Sequence, residues 1–118
     1  MEPRQFSGLF VPDRSQFVWV DCDPQAGREQ AGRRPALVLS PASYNRASGL
    51  FVVCPVTNQQ KGYPFEVMIP AGFDVTGVVM CDQLKTLDYR LRKAVLIGKC
   101  PDEVMVEVLA KIKPLLFA

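Results

Sequence analysis

Phe17-Val18-Trp19-Val20-Asp21-Cys22-Asp23-Pro24, a polar loop running to Arg34, and then Pro35-Ala36-Leu37-Val38-Leu39-Ser40 form the stretch that decides the fold class. The first run, Phe17 to Asp21, is aromatic and β-branched and predicts a strand, which Asp23-Pro24 breaks. Pro35 fixes φ at the start of the second run, and the unbroken apolar character of Ala36 to Ser40 predicts a strand buried on both faces. Between them, Gly27-Arg28-Glu29-Gln30-Ala31-Gly32-Arg33-Arg34 carries a carboxylate, an amide and three guanidinium groups. A rigid strand holding mobile polar groups at a surface is where chemistry is expected.

Working outward, Met1 to Gln16 is polar and irregular until Val11-Pro12-Asp13 and predicts a lead-in across the surface. Downstream, Pro41 to Asn45 predicts a helical turn. Leu50 to Cys54 predicts a third strand, with Pro55 marking a bulge or edge near its end. Thr57-Asn58-Gln59-Gln60-Lys61-Gly62 is a second polar loop, Tyr63 to Ile69 a fourth strand, and Pro70-Ala71-Gly72 its turn. Gly77 to Cys81, continuing through Asp82-Gln83-Leu84-Lys85, predicts a fifth strand and Ala94 to Gly98 a sixth; Asp88, Arg90, Arg92 and Lys93 cluster between them. After Cys100, Pro101 suits a first helical turn and Asp102 and Glu103 suit its positive end. Met105, Val108, Leu109, Ile112 and Leu116 recur at helical spacing, predicting an amphipathic closing helix interrupted by Pro114. Short strands with one late helix indicate a mainly β chain, a small, strongly curved antiparallel sheet or barrel.

The 118 residues suffice for one domain, 1–118, with one core, and therefore for one site. No apolar run approaches the roughly 18 residues of a membrane span, and no signal peptide is readable, so a cytoplasmic location is expected. With 14 basic and 12 acidic side chains the net charge is +2, too weak to mark a nucleic-acid binder by itself. Histidine is absent, which removes the commonest general base and zinc ligand. Cys22, Cys54, Cys81 and Cys100 form no C-x-x-C pair and read as small buried hydrophobes in a reducing compartment, not as a metal site or disulfides.

Three polar segments stand where strands begin, end or turn: Glu29 to Arg34, Thr57 to Lys61 and Asp82 to Lys85. Their donors suit a phosphate-bearing ligand better than an apolar one. On residues alone, Arg34 before a proline reads first as a surface salt-bridge residue and Thr57 as a strand-end residue satisfying backbone. Trp19, Phe51 and Phe65 read as core, not as base-stacking platforms.

The order Val11-Pro12-Asp13, Val18-Trp19-Val20-Asp21-Cys22-Asp23-Pro24, Gly27, Glu29-Gln30-Ala31-Gly32 and Arg34 to Pro41 resembles the MazF/PemK family of toxin endoribonucleases. The likeness continues through Tyr44-Asn45, Cys54-Pro55-Val56-Thr57, Lys61 to Val67 and Asp82-Gln83-Leu84-Lys85. It implies a small SH3-like antiparallel barrel of the plasmid-toxin type with a C-terminal helix, a homodimer, and sequence-selective cleavage of single-stranded RNA without metal or cofactor. It also implies a MazE-like antitoxin that lies over the dimer. The implied reaction is attack of the RNA 2′-hydroxyl on its own phosphate, leaving a 2′,3′-cyclic phosphate and a 5′-hydroxyl. Arg34 matches the family's catalytic arginine, as charge stabiliser or general acid, and Thr57 its catalytic threonine. Glu29 is a candidate to accept or orient the 2′-hydroxyl proton, or to bind RNA or position Arg34. Gln30, Gln59, Asp82 and Gln83 suit unstacked base edges, while Arg33, Lys61 and Lys85 suit backbone phosphates.

Two departures stand out: Cys22 replaces a common aromatic, and Arg14-Ser15-Gln16 stands where a glycine-acid pair is common. Both put stability, more than activity, in question. The competing readings are a gyrase-poisoning toxin on the same fold and a non-catalytic RNA-binding barrel. The first depends on a carboxy-terminal tryptophan, whereas this chain ends Leu115-Leu116-Phe117-Ala118 and has its only tryptophan at Trp19.

Overall fold

The computed structural model describes residues 10–21 and 32–117. Seven strands among them form one antiparallel sheet: β1 (Gln16–Asp21), β2 (Arg33–Val38), β3 (Leu50–Thr57), β4 (Glu66–Met68), β5 (Val78–Met80), β6 (Lys85–Asp88) and β7 (Val95–Lys99). Helix α1 (Ala42–Ser48) joins β2 to β3, and α2 (Asp102–Phe117) closes the chain. The sheet order is β4-β5-β3-β2-β1-β7, with β6 also on β3. The expected barrel is therefore an open sheet, because β7 and β4 end the order without meeting. Strand β3 gives one edge to β2 and divides the other between β6, at Leu50 to Val53, and β5, at Val56 and Thr57.

Side chains alternate across this sheet and build a core on each face. Phe17, Leu37, Cys54 and Val56 join Val104, Met105, Val108 and Ile112 of α2 on one face. Val18, Val20, Ala36, Val38, Phe51 and Val53 form the other with Tyr89, whose ring meets that of Phe51 edge-on at 5.8 Å. Phe51 is core as expected, Phe65 packs half-buried against the larger core, and Trp19 is only half-buried.

The strand signals of β1, β2, β3 and β7 hold within a few residues, whereas the other two strands and the closing helix differ from expectation. The fifth run is two strands, β5 and β6, separated by a 3-10 turn at Cys81–Gln83. The fourth shortens to Glu66–Met68, because the Glu66 carboxylate accepts the N–H groups of Lys61 and Gly62 and holds the preceding residues as a loop. Helix α2 runs through Pro114: its last turn is exposed, so the Ala110 carbonyl left without an N–H partner meets water. Its buried face is Val104, Met105, Val108 and Ile112, while Leu109 and Leu116 face out.

Asn45 ties the lead-in to this frame. It is fully buried, its Nδ2 donates to the Pro12 and Ser40 carbonyls, and its Oδ1 accepts from the Ser40 hydroxyl. Gly49 ends α1 at φ 77° with its N–H on the Asn45 carbonyl. Cys54, Cys81 and Cys100 are buried and free, as read from the sequence; desolvation pushes their thiols up to about 12, about 11 and about 12, which keeps them neutral. Cys22 lies outside the described residues.

The Arg14–Gln16 departure has a backbone consequence. Ser15 sits in the turn before β1 at φ 77°, the left-handed region that glycine occupies without penalty. Its N–H and carbonyl are fixed by Val38 and Cys100, so the turn cannot relax away. Ser15→Gly should raise the unfolding free energy by about 0.5–1 kcal/mol, since relief of about 1–2 kcal/mol of strain is partly offset by the entropy of an unfolded glycine. Urea melts at constant m check this; a lower midpoint contradicts it.

Candidate functional site

Strand register assembles the site. Leu37 opposes Cys54 and Ala36 opposes Pro55, and the ladder stops there. The Leu39 N–H donates to the Val52 carbonyl, so by antiparallel alternation the bonded pairs fall at Leu37 with Cys54 and, next, at Pro35 with Val56. Pro35 has no N–H to complete that pair. The same register then sets Arg34 opposite Thr57 just past the end of the ladder, on the face shared by Ala36, Val53 and Pro55. Pro55 is tolerated inside β3 because its nitrogen points to the outer edge, where β3 passes from β6 to β5.

Lys85 opposes Val53 and so shares that face. An open cavity of about 270 Å³ lies beside Arg34, floored by Val20, Ala36, Val53 and Leu87 and rimmed by Asp21, Lys85 and Arg92. The Thr57 hydroxyl oxygen accepts the Gln59 N–H at 3.1 Å, which leaves its own proton to donate outward. Arg34 is exposed and Thr57 half-buried. Arg34 carries a forked cation and Thr57 a free hydroxyl donor, both groups suited to an anion.

The second polar loop is held at several points. The Asn58 Oδ1 accepts from the Thr76 hydroxyl, Glu66 holds Lys61 and Gly62, and the Lys111 ammonium of α2 donates to the Pro64 carbonyl. Gln59 and Lys61 are exposed on it, with the Lys61 ammonium 6.0 Å from the Tyr63 ring centroid. Asp82 and Gln83 are exposed on the 3-10 turn, which packs against β3. Arg33 alternates away from Arg34 and does not line the cavity; its Nη1 donates to Asp21, which also rims the cavity at the strand ends, and its Nη2 to the Lys93 carbonyl. Glu29 and Gln30 lie outside the described residues. Arg92, noted in the sequence only as part of a charged cluster, joins the cavity through the turn before β7. Nothing in linear spacing ties it to Arg34.

Comparison with known proteins bears on this geometry. Residues 13–116 match the model of the PemK-like, MazF-like toxin of type II toxin-antitoxin systems. The chain belongs to this family. It is 45% identical over 107 residues to the endoribonuclease toxin MazF of Escherichia coli K12, covering 91% of this chain and 96% of that one. It resembles the crystal structure of MazF from Deinococcus radiodurans with 51% identity and a TM-score of 0.84, covering 92% and 99% of the two chains. The MazF chain of a MazE-MazF complex from the same organism aligns with a TM-score of 0.81 and 46% identity, covering 92% and 97%. The resemblance read from the sequence is thus a family relationship across nearly the whole chain.

Within this PemK/MazF frame, one glycine fixes where Thr57 lies. Gly77 adopts φ 110°, and a Cβ there would stand 2.3 Å from the Thr57 carbonyl oxygen and 2.9 Å from the Asn58 Oδ1. Backbone, not a flexible side chain, is what an added methyl would strike. Gly77→Ala should lower stability by about 1–3 kcal/mol and shift the β3 end that carries Thr57. Urea melts and amide chemical shifts of Thr57 and Gln59 test this; wild-type values in both contradict it.

Proposed function

We propose that this chain is the endoribonuclease toxin of a type II toxin-antitoxin system and cuts single-stranded RNA at a phosphate bound between Arg34 and Thr57. The observation that carries the reading is the β2–β3 register, whose last pair is Ala36 with Pro55; carried two residues further, it aligns Arg34 with Thr57 on one face. A phosphate oxygen could meet both at once.

In the reaction the 2′-oxygen forms a bond to its neighbouring phosphorus while the bond from phosphorus to the 5′-oxygen breaks. The 2′-hydroxyl loses a proton and the departing 5′-oxygen gains one, giving a 2′,3′-cyclic phosphate and a 5′-hydroxyl. Negative charge on the phosphate oxygens grows at the transition state, so donors already aimed at them lower the barrier. Arg34 supplies a fixed charge and two parallel donors, and Thr57 supplies a hydroxyl whose acceptor side is already engaged by Gln59. Glu29 is the candidate for the 2′-hydroxyl proton. Lys85 and Lys61 suit flanking phosphates, and Gln30, Gln59, Asp82 and Gln83 suit base edges.

Relatives crystallised as MazE-MazF complexes support a MazE-like antitoxin as partner here. A homodimer accords with the exposed Leu109, Leu116 and Phe117 of α2, apolar area that a second copy would cover. Among the described residues no helix is long and apolar enough to cross a membrane. Cytoplasmic RNA is the substrate pool we infer. A gyrase-directed or merely RNA-binding role is less favoured, because relatives at 36–45% identity over most of their length are named endoribonucleases.

Incubation with a single-stranded RNA in EDTA should yield fragments with cyclic phosphate and 5′-hydroxyl ends. Arg34→Ala and Thr57→Ala should each lower kcat by about 100-fold or more. A 2′-deoxy nucleotide at the cleaved position should abolish cutting there. Full cleavage by both variants would reject the site, and cutting at the deoxy position would point to an attacking water.

A further inference from the structure

We propose that Asp21, Arg33 and the Lys93 carbonyl form a clamp that positions Arg34, so that Arg33 serves cleavage by fixing the strand beside the catalytic group and not by binding RNA phosphate. The inference rests on the function proposed above.

Arg33 Nη1 donates to Asp21 Oδ1 at 2.8 Å, and Nη2 donates to the Lys93 carbonyl at 2.7 Å. The guanidinium therefore joins the end of β1, the start of β2 and the turn before β7. Asp21 and Arg33 are also the last register pair of the β1–β2 ladder, and the Asp21 N–H donates to the Arg92 carbonyl at 2.9 Å. The end of a ladder frays unless something holds it, and here a planar fork with two acceptors does. Arg34 is the next residue along β2 and faces the other way, toward the Thr57 side. Its backbone is thus set by the clamp while its own side chain remains exposed.

The alternative, a phosphate contact by Arg33, asks for a different geometry. Both Nη atoms hold protein acceptors, and the side chains of Arg33 and Asp21 are only 24% and 38% exposed. A phosphate reaching Arg33 would meet the Asp21 carboxylate beside it. Positioning needs neither rearrangement.

The two roles separate experimentally. Arg33→Lys keeps the charge but loses the fork, and Asp21→Asn removes a negative charge while weakening the clamp. Steady-state cleavage of one RNA should show kcat lowered about 10- to 100-fold in both variants with KM unchanged. Binding of the 2′-deoxy RNA analogue, which also reports that each variant is folded, should keep the wild-type slope of log Kd against log salt in Arg33→Ala. The clamp is overturned if Asp21→Asn cleaves at the wild-type rate, or if Arg33→Ala loses about one unit of salt slope, the mark of a lost phosphate contact. Wild-type protein that leaves RNA intact would refute the proposed function and the clamp together; active wild type with unaffected variants would refute the clamp alone.

Discussion

The register of β2 against β3 is the constraint on which the rest depends. A slip of one residue would turn Arg34 to the opposite face and swap the apolar side chains of β2 between the two cores they now fit. Leu37, Val38, Val53 and Cys54 are all essentially buried, so both cores resist that slip. The alignment of the proposed pair, Arg34 and Thr57, is consequently fixed by residues that have no chemistry of their own. Pro35 adds the opening: without its N–H the ladder ends at Ala36 and Pro55, and the register carried on from there aligns Arg34 with Thr57 beyond the last bonded pair.

Supports for this opening come from every side of the sheet. The Asp21–Arg33 pair and the Lys93 carbonyl hold the β2 end, while Gly77 permits β5 to approach the Thr57 carbonyl closely. Glu66 and Lys111 secure the loop bearing Gln59 and Lys61. Lys111 belongs to α2, so the closing helix contributes to the core and also to the loop beside Thr57. A site built from exposed polar side chains gains its geometry from such supports.

Much of this was legible in the chain. An aromatic, β-branched run marks β1 and an unbroken apolar run marks β2, and three of the four residues of α2 that pack inside, Met105, Val108 and Ile112, stand at the expected helical spacing, whereas Val104 does not and Leu109 and Leu116 face out. What periodicity could not reveal was orientation around that helix, since Leu109 and Leu116 are as apolar as the buried residues. The break between β5 and β6 was hidden because Cys81-Asp82-Gln83 contains neither glycine nor proline. Sheet closure was equally out of reach: it depends on which strands meet at the ends. Arg34 and Thr57 are site candidates through the family resemblance, whereas their alignment comes from register, and the Asp21 and Lys93 partners of Arg33, read in the sequence as suited to backbone phosphate, appear only once β1 and β2 are paired.

The central claim is that one register delivers Arg34 and Thr57 to the same phosphate. A double-mutant cycle in kcat/KM, using Arg34→Ala, Thr57→Val and their combination on one RNA of defined sequence, measures that directly. Groups acting on one transition state as a unit should give losses far smaller in the double variant than the product of the single losses. Losses that simply multiply would place the two side chains in separate tasks and contradict the account.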